Sequence, residues 1–182
     1  MMMVELTRHP STPADAVRGI SVRLRRSADG GLALTFRLDA DLARVRVPAP
    51  RRPCIAHQLW EHTCFEAFVS APEESGYYEF NFSPSGDWAA YRFEDYRRGM
   101  TRAPLGHAPA VRVDARPGRL ALSATLELGG LGLLERACGL RLALAAVLED
   151  QQGALSYWAP AHPPGKPDFH HRAGFTLELH AP

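Results

Sequence analysis

Apolar and polar positions alternate with a period of two through most of the chain, the pattern of strands that bury one face. Ile20, Val22 and Leu24 face one way while Ser21, Arg23 and Arg25 face the other. After a turn at Asp29-Gly30, Leu32, Leu34, Phe36 and Leu38 continue the apolar face, so residues 20–39 predict a hairpin. Ala43, Val45 and Val47 offer a short strand that Pro48 and Pro50 would end. Residues 59–69, 77–82 and 87–93 predict a three-stranded meander. Further strands are expected at 111–113, 120–128, 140–148, 155–158 and 175–179, with one or two helical turns over 131–138. Residues 1–15 read as a loose N-terminal segment. About ten short strands without amphipathic helices between them imply an all-β, antiparallel sandwich, one domain over residues 1–182 with at most one or two short helices.

The meander carries the candidate chemistry, because a one-residue slip would turn every apolar side chain to the wrong face. Pairing Phe65, Ala67 and Val69 with Phe82, Phe80 and Tyr78 builds an apolar face and sends Glu66, Phe68, Glu79 and Asn81 to the reverse side. A four-residue loop Ser83–Gly86 would then put Ala89, Tyr91 and Phe93 in the core and Trp88, Ala90 and Arg92 beside Asn81 and Glu79. A five-residue loop would bury Arg92. The expected surface is therefore Glu66, Glu79, Asn81, Trp88 and Arg92, with Trp60 and His62 upstream. Carboxylate, amide and guanidinium groups supply directional hydrogen bonds for a hydroxyl-rich ligand, and an indole offers a flat apolar face. The same set also reads as an ordinary ion-pair network on a solvated sheet face.

A second concentration lies in the run Ser156 to His171, which carries Trp158, His162, Lys166, Asp168 and His170 on a proline-rich and therefore stiff loop. It reads either as a binding loop or as a rigid crossover. Adjacent His170 and His171 on an extended chain point apart and make a poor metal pair, so no metal site is expected.

A formal net charge of +1 disfavours nucleic-acid and anionic-membrane partners, which require concentrated cations. Pairs such as Arg97-Arg98 read as solvated edges. No apolar run is long enough to span a bilayer and the N-terminus lacks a leader pattern, so a cytoplasmic location is expected. Cys54, Cys64 and Cys138 fit neither a disulfide framework nor a zinc site and are expected as reduced, mostly buried thiols. No phosphate loop, His-Glu-x-x-His or Gly-x-Ser-x-Gly motif is present, so no catalytic residue is assigned and an enzyme is not expected.

The segments Leu59 to Phe68 and Tyr77 to Phe93, with the run His162 to His171, resemble a bacterial branch of the DOMON-like proteins, related to the family 9 carbohydrate-binding modules. The resemblance covers most of the chain and implies a jelly-roll β-sandwich that binds a sugar or b-type haem without catalysing a reaction. Trp60, Glu66 and Phe68 match the family 9 pattern, whereas its Asp position holds Thr63 and no calcium site is evident. In the haem alternative Met100 and His170 are the axial candidates, with His107, His162 and His171 also available. The leading expectation is a non-catalytic domain that binds a small polar ligand, a sugar or glycoconjugate, without a cofactor. A protein-interaction module without a small ligand is the third reading.

Overall fold

The structure is a computed structural model and describes all residues except 28–29, 133, 135–138 and 181–182. Asp29, Cys138 and most of the expected 131–138 helical turn lie outside the described residues. Among the described residues twelve strands form two antiparallel layers. They are β1 (Met2–Arg8), β2 (Val17–Arg26), β3 (Leu32–Ala40), β4 (Cys64–Ser70), β5 (Tyr77–Phe82), β6 (Trp88–Phe93), β7 (Thr101–Arg102), β8 (Ala110–Arg116), β9 (Arg119–Leu126), β10 (Gly139–Glu149), β11 (Leu155–Ala159) and β12 (Leu177–His180). Among the described residues, short 3-10 turns at Leu59–Glu61 and Arg172–Gly174 are the only helical elements.

One layer has the order β1-β2-β3-β9-β8 and the other β7-β6-β5-β4-β10-β11-β1, with β12 also paired to β10. The first strand joins them: Met2–Leu6 pair with β2, then Thr7 and Arg8 pair with β11. The N-terminal segment is thus an ordered strand rather than a loose lead. Its alternation of Met2, Val4 and Leu6 against Met3, Glu5 and Thr7 was masked by the leading methionine run. Residues 41–58, by contrast, hold no strand, and Val45 contributes an isolated bridge to Asp150.

The core fills the space between the layers with the period-2 faces read from sequence. Ile20, Val22, Leu34, Phe36 and Leu122 come from one layer and Phe65, Ala67, Phe80, Phe82 and Leu144 from the other, all fully buried. At roughly 1.5–3 kcal/mol for each large apolar side chain removed from water, this layer is the main source of stability.

The outer face of the β4 layer departs from the usual solvated sheet. Every residue of β4 and β5 is buried. A second apolar cluster of Phe68, Tyr77, Ala89, Tyr91, Phe93, Ala143, Ala145 and Phe175 lies there, with Leu59, Trp60 and Phe169 packed against it. The proline-rich loop and the Leu59–Glu61 turn supply the cover, so this half of the molecule has a third layer made of loops.

Candidate functional site

The β4–β5 register is the one expected: Phe65, Ala67 and Val69 stand opposite Phe82, Phe80 and Tyr78, and Glu66 stands opposite Asn81. The next hairpin differs by one residue. Its loop has five residues, Ser83 to Asp87, closed by the Ser83 amide donating to the Asp87 carbonyl at 2.9 Å and turned by Gly86 at φ 95°. Trp88, Ala90 and Arg92 consequently fall opposite Phe82, Phe80 and Tyr78 on the core side, and Ala89, Tyr91 and Phe93 fall beside Asn81, Glu79 and Tyr77. Trp88 belongs to the central core and Arg92 is exposed near the sheet edge, so neither reaches the Glu66 surface. Alternation could not decide this register, because both faces of β6 are apolar and the inward Arg92 escapes burial where the sandwich opens.

Asp87 anchors that loop. Its buried carboxylate accepts from Arg51 Nε at 2.6 Å, from the Cys54 amide at 3.2 Å and from Ser85 Oγ at 2.8 Å. Burial opposes ionisation there, but these hydrogen bonds outweigh it and hold the carboxyl down at about 2. Cys54 is exposed, contrary to the expectation of buried thiols, whereas Cys64 is buried.

The outer face of the β4 layer contains a groove of 400 Å³ lined by Trp60, Glu66, Glu79, Val147, Phe93 and Tyr157, and capped by Arg97, Met100, Pro167, Phe169 and His170. Its depth follows from the sheet register. Glu66 and Asn81 lie side by side in a row flanked by Ala145 on β10 and Ala89 on β6. Of this row Glu66 reaches the groove, while Asn81 is fully buried beneath it.

Both carboxyl groups of the floor are taken out of water. Glu66 is 3% exposed, and its Oε1 has no hydrogen-bond partner. Burial, reinforced by the charge of Glu79, pushes Glu66 well above the usual carboxylate range, with Arg97 pulling weakly the other way. Burial raises Glu79 to about 7, against the opposing pull of the Asn81 hydrogen bond and of Arg97. Asn81 Nδ2 donates to Glu79 Oε1 at 2.7 Å, and His170 Nε2 stands 3.7 Å from Glu79 Oε2. Burial thus favours the neutral form of the Glu66 carboxyl, which can both donate and accept a hydrogen bond.

The cap is pinned by a chain of hydrogen bonds. Tyr77 Oη lies 2.7 Å from His170 Nδ1 and accepts from the Arg97 amide at 3.2 Å. Asp168 accepts from Arg97 Nη2 at 2.8 Å and from the His170 amide at 3.1 Å, and the Tyr96 hydroxyl donates to it at 2.5 Å. Burial, together with the charge of Arg97, lowers His170 to about 4, so the ring is neutral. Arg97 holds a left-handed backbone at φ 53°, a conformation disfavoured for a side chain of its size. Burial also lifts Tyr77 to about 12.

The structure thus joins the two concentrations read separately in sequence: Trp60, Glu66, Glu79 and His170 line one groove, Asn81 supports its floor and Asp168 its cap. Other expected residues lie elsewhere. His62 Nδ1 pairs with Glu149 at 2.8 Å, Trp158 is in the core with its indole donating to Ser156, and His162 Nε2 is bonded to the Thr7 carbonyl at 2.8 Å. Lys166 lines an adjoining hollow. Sequence reasoning missed Phe93, through the slip in β6, and Arg97, which was read as a solvated edge. It also passed over Tyr157 and Phe169.

Two solved structures share this architecture. A candidate carbohydrate-binding protein from Bacteroides uniformis superposes with a TM-score of 0.69 at 16% identity, over 96% of this chain and 84% of that one. A family 9 carbohydrate-binding module from Caldicellulosiruptor kristjanssonii, in complex with glucose, gives 0.53 at 12% identity, over 97% and 83%. The chain has a family 9-like fold. Neither structure is described as a DOMON domain, and no family model or curated protein matches the sequence.

The haem alternative finds its two candidates on this groove, with Met100 exposed at the rim. They do not fit a haem as placed. Both nitrogens of His170 already face protein partners, Tyr77 and Glu79, and the ring is wedged edge-on among Phe68, Tyr77 and Phe93. Ligation of iron would require dismantling the contacts that hold the cap.

Proposed function

We propose that this protein binds carbohydrate in the groove on the outer face of the β4 layer, without transforming it. The observation that carries this reading is the unpaired Glu66 Oε1 at the base of an aromatic-walled hollow. A buried polar atom without a partner costs on the order of 1–3 kcal/mol, and a ligand hydroxyl would supply the missing bond. Trp60, Phe93, Tyr157 and Phe169 provide the flat apolar surfaces that the C–H faces of a sugar ring require. Glu66, Glu79 and Arg97 provide acceptors and donors within the same space. The family 9-like fold of a glucose-bound module supports the reading from a separate direction.

Calorimetric titration with neutral mono- and oligosaccharides tests it. Saturable binding that Glu66→Leu weakens about tenfold or more is expected, in keeping with the loss of a buried hydrogen bond. Absence of heat with every sugar at millimolar concentration would reject the proposal.

A further inference from the structure

Arg97 and Pro167, at the cap of the groove, also line an adjoining hollow of 350 Å³ walled by Pro163, Pro164, Lys166, Asp168 and His171. Accepting the carbohydrate reading of the deep groove, we propose that this second hollow is a subsite for an acidic substituent, a carboxylate or a phosphate, carried by the sugar bound below.

Charge is the first support. Asp168 is the carboxylate of this hollow, and its oxygens are already engaged by Tyr96, Arg97 and the His170 amide. Arg97 and Lys166 together outweigh it, so the hollow is net cationic. A guanidinium carries five N–H donors, and Asp168 engages Nη2. Arg97 thus stands between the two spaces, with its position fixed by a carboxylate and by the Tyr96 ring 5.9 Å away.

Residue choice is the second support. Lys166 is the only lysine among 21 basic residues, in a chain that otherwise uses arginine throughout. An ammonium is a compact point charge with rotatable donors, which suits an anion that arrives without a fixed plane. It is exposed, and no hydrogen bond or ion pair of its own satisfies it among the described residues.

Stiffness is the third. Pro163, Pro164 and Pro167 restrict the loop, and Gly165 takes φ 104°, a conformation side chains rarely adopt, to make its tight turn. The Tyr77–His170 bond anchors the far end of the loop to β5. Little conformational entropy remains to be lost when an anion docks.

The test is titration calorimetry on the full chain with glucose and galactose, each beside its uronate and its 6-phosphate, at low and high salt. The acidic forms are expected to bind about tenfold more tightly at low salt, an advantage that salt shrinks. Lys166→Gln should abolish most of that advantage while leaving neutral-sugar affinity unchanged. Whether the uronate or the 6-phosphate gains more distinguishes a carboxylate from a phosphate. Neutral sugars binding as tightly as acidic ones, or an acidic preference untouched by Lys166→Gln, overturns the second subsite alone. Failure of every sugar to bind overturns the deep groove and the subsite together.

Discussion

The hydroxyl of Tyr77 lies 2.7 Å from Nδ1 of His170, tying the middle of the β-sheet to a loop more than ninety residues away in sequence. The same hydroxyl accepts from the Arg97 amide, so one oxygen holds both halves of the cap. Tyr77→Phe removes that oxygen and leaves the ring's packing. Urea unfolding should show a loss of about 1–2 kcal/mol, and hydrogen exchange should rise in residues 163–171.

The register of β6 makes opposite predictions for two tryptophans. Trp60 lines the groove and Trp88 lies in the core between the layers. Trp60→Ala should weaken sugar binding about tenfold and cost less stability than Trp88→Ala, since Trp60 is only partly buried against the outer cluster. Trp88→Ala should cost about 3 kcal/mol or more in unfolding free energy and leave affinity within about twofold at temperatures where the protein stays folded. Thermal melts and titrations on the two variants check this directly.

Glu79 predicts a pH dependence of stability. Its folded value of about 7 lies above the ordinary 4.5, so its stabilising contribution is complete below about 4.5 and is lost as pH rises through 7. His170 works in the opposite sense: its folded value of about 4 lies below 6.5, so its contribution is complete above 6.5 and fades as pH falls toward 4. The two slopes overlap and partly cancel in the native protein. Glu79→Gln removes the first of them. Relative to wild type, that variant should gain stability between pH 5 and pH 8, on the order of 1–3 kcal/mol, in chemical unfolding across that range.

Asp87 governs the acid limit. Its value of about 2 lies below the ordinary 3.8, so its stabilisation is present above 3.8 and disappears as pH falls through 2. Asp87→Asn leaves the Cys54 amide and Arg51 with a weaker acceptor. A loss of about 1–3 kcal/mol at pH 7, visible as a lower urea midpoint, is expected.

Strand alternation carried the sandwich, its core and the β4–β5 pairing, because there each residue had one polar and one apolar face to choose between. Legibility failed where that contrast failed. On β6, Trp88 and Ala90 are as apolar as Ala89, Tyr91 and Phe93, so the expected register rested on keeping Arg92 out of the core, and the closure of the turn by Ser83 and Asp87 overturned it. The outer face of β4 was expected in solvent, whereas loops remote in sequence cover it. Phe169 and Phe175 carry no local sign of where they pack, and Arg97 acquires its role from a left-handed turn and a contact with Asp168. Trp60, Glu66, Glu79 and His170 were legible by type, whereas the place of Phe93, Arg97, Tyr157 and Phe169 beside them was set by long-range folding.

The most direct measurement is a crystal structure of the protein soaked in a sugar that it binds in solution. A ring against Trp60, with a hydroxyl within hydrogen-bond distance of Glu66 Oε1, is the predicted result. A groove empty of sugar at saturating concentration, or a sugar ordered on another face of the sandwich while Glu66 stays unpaired, would contradict the account.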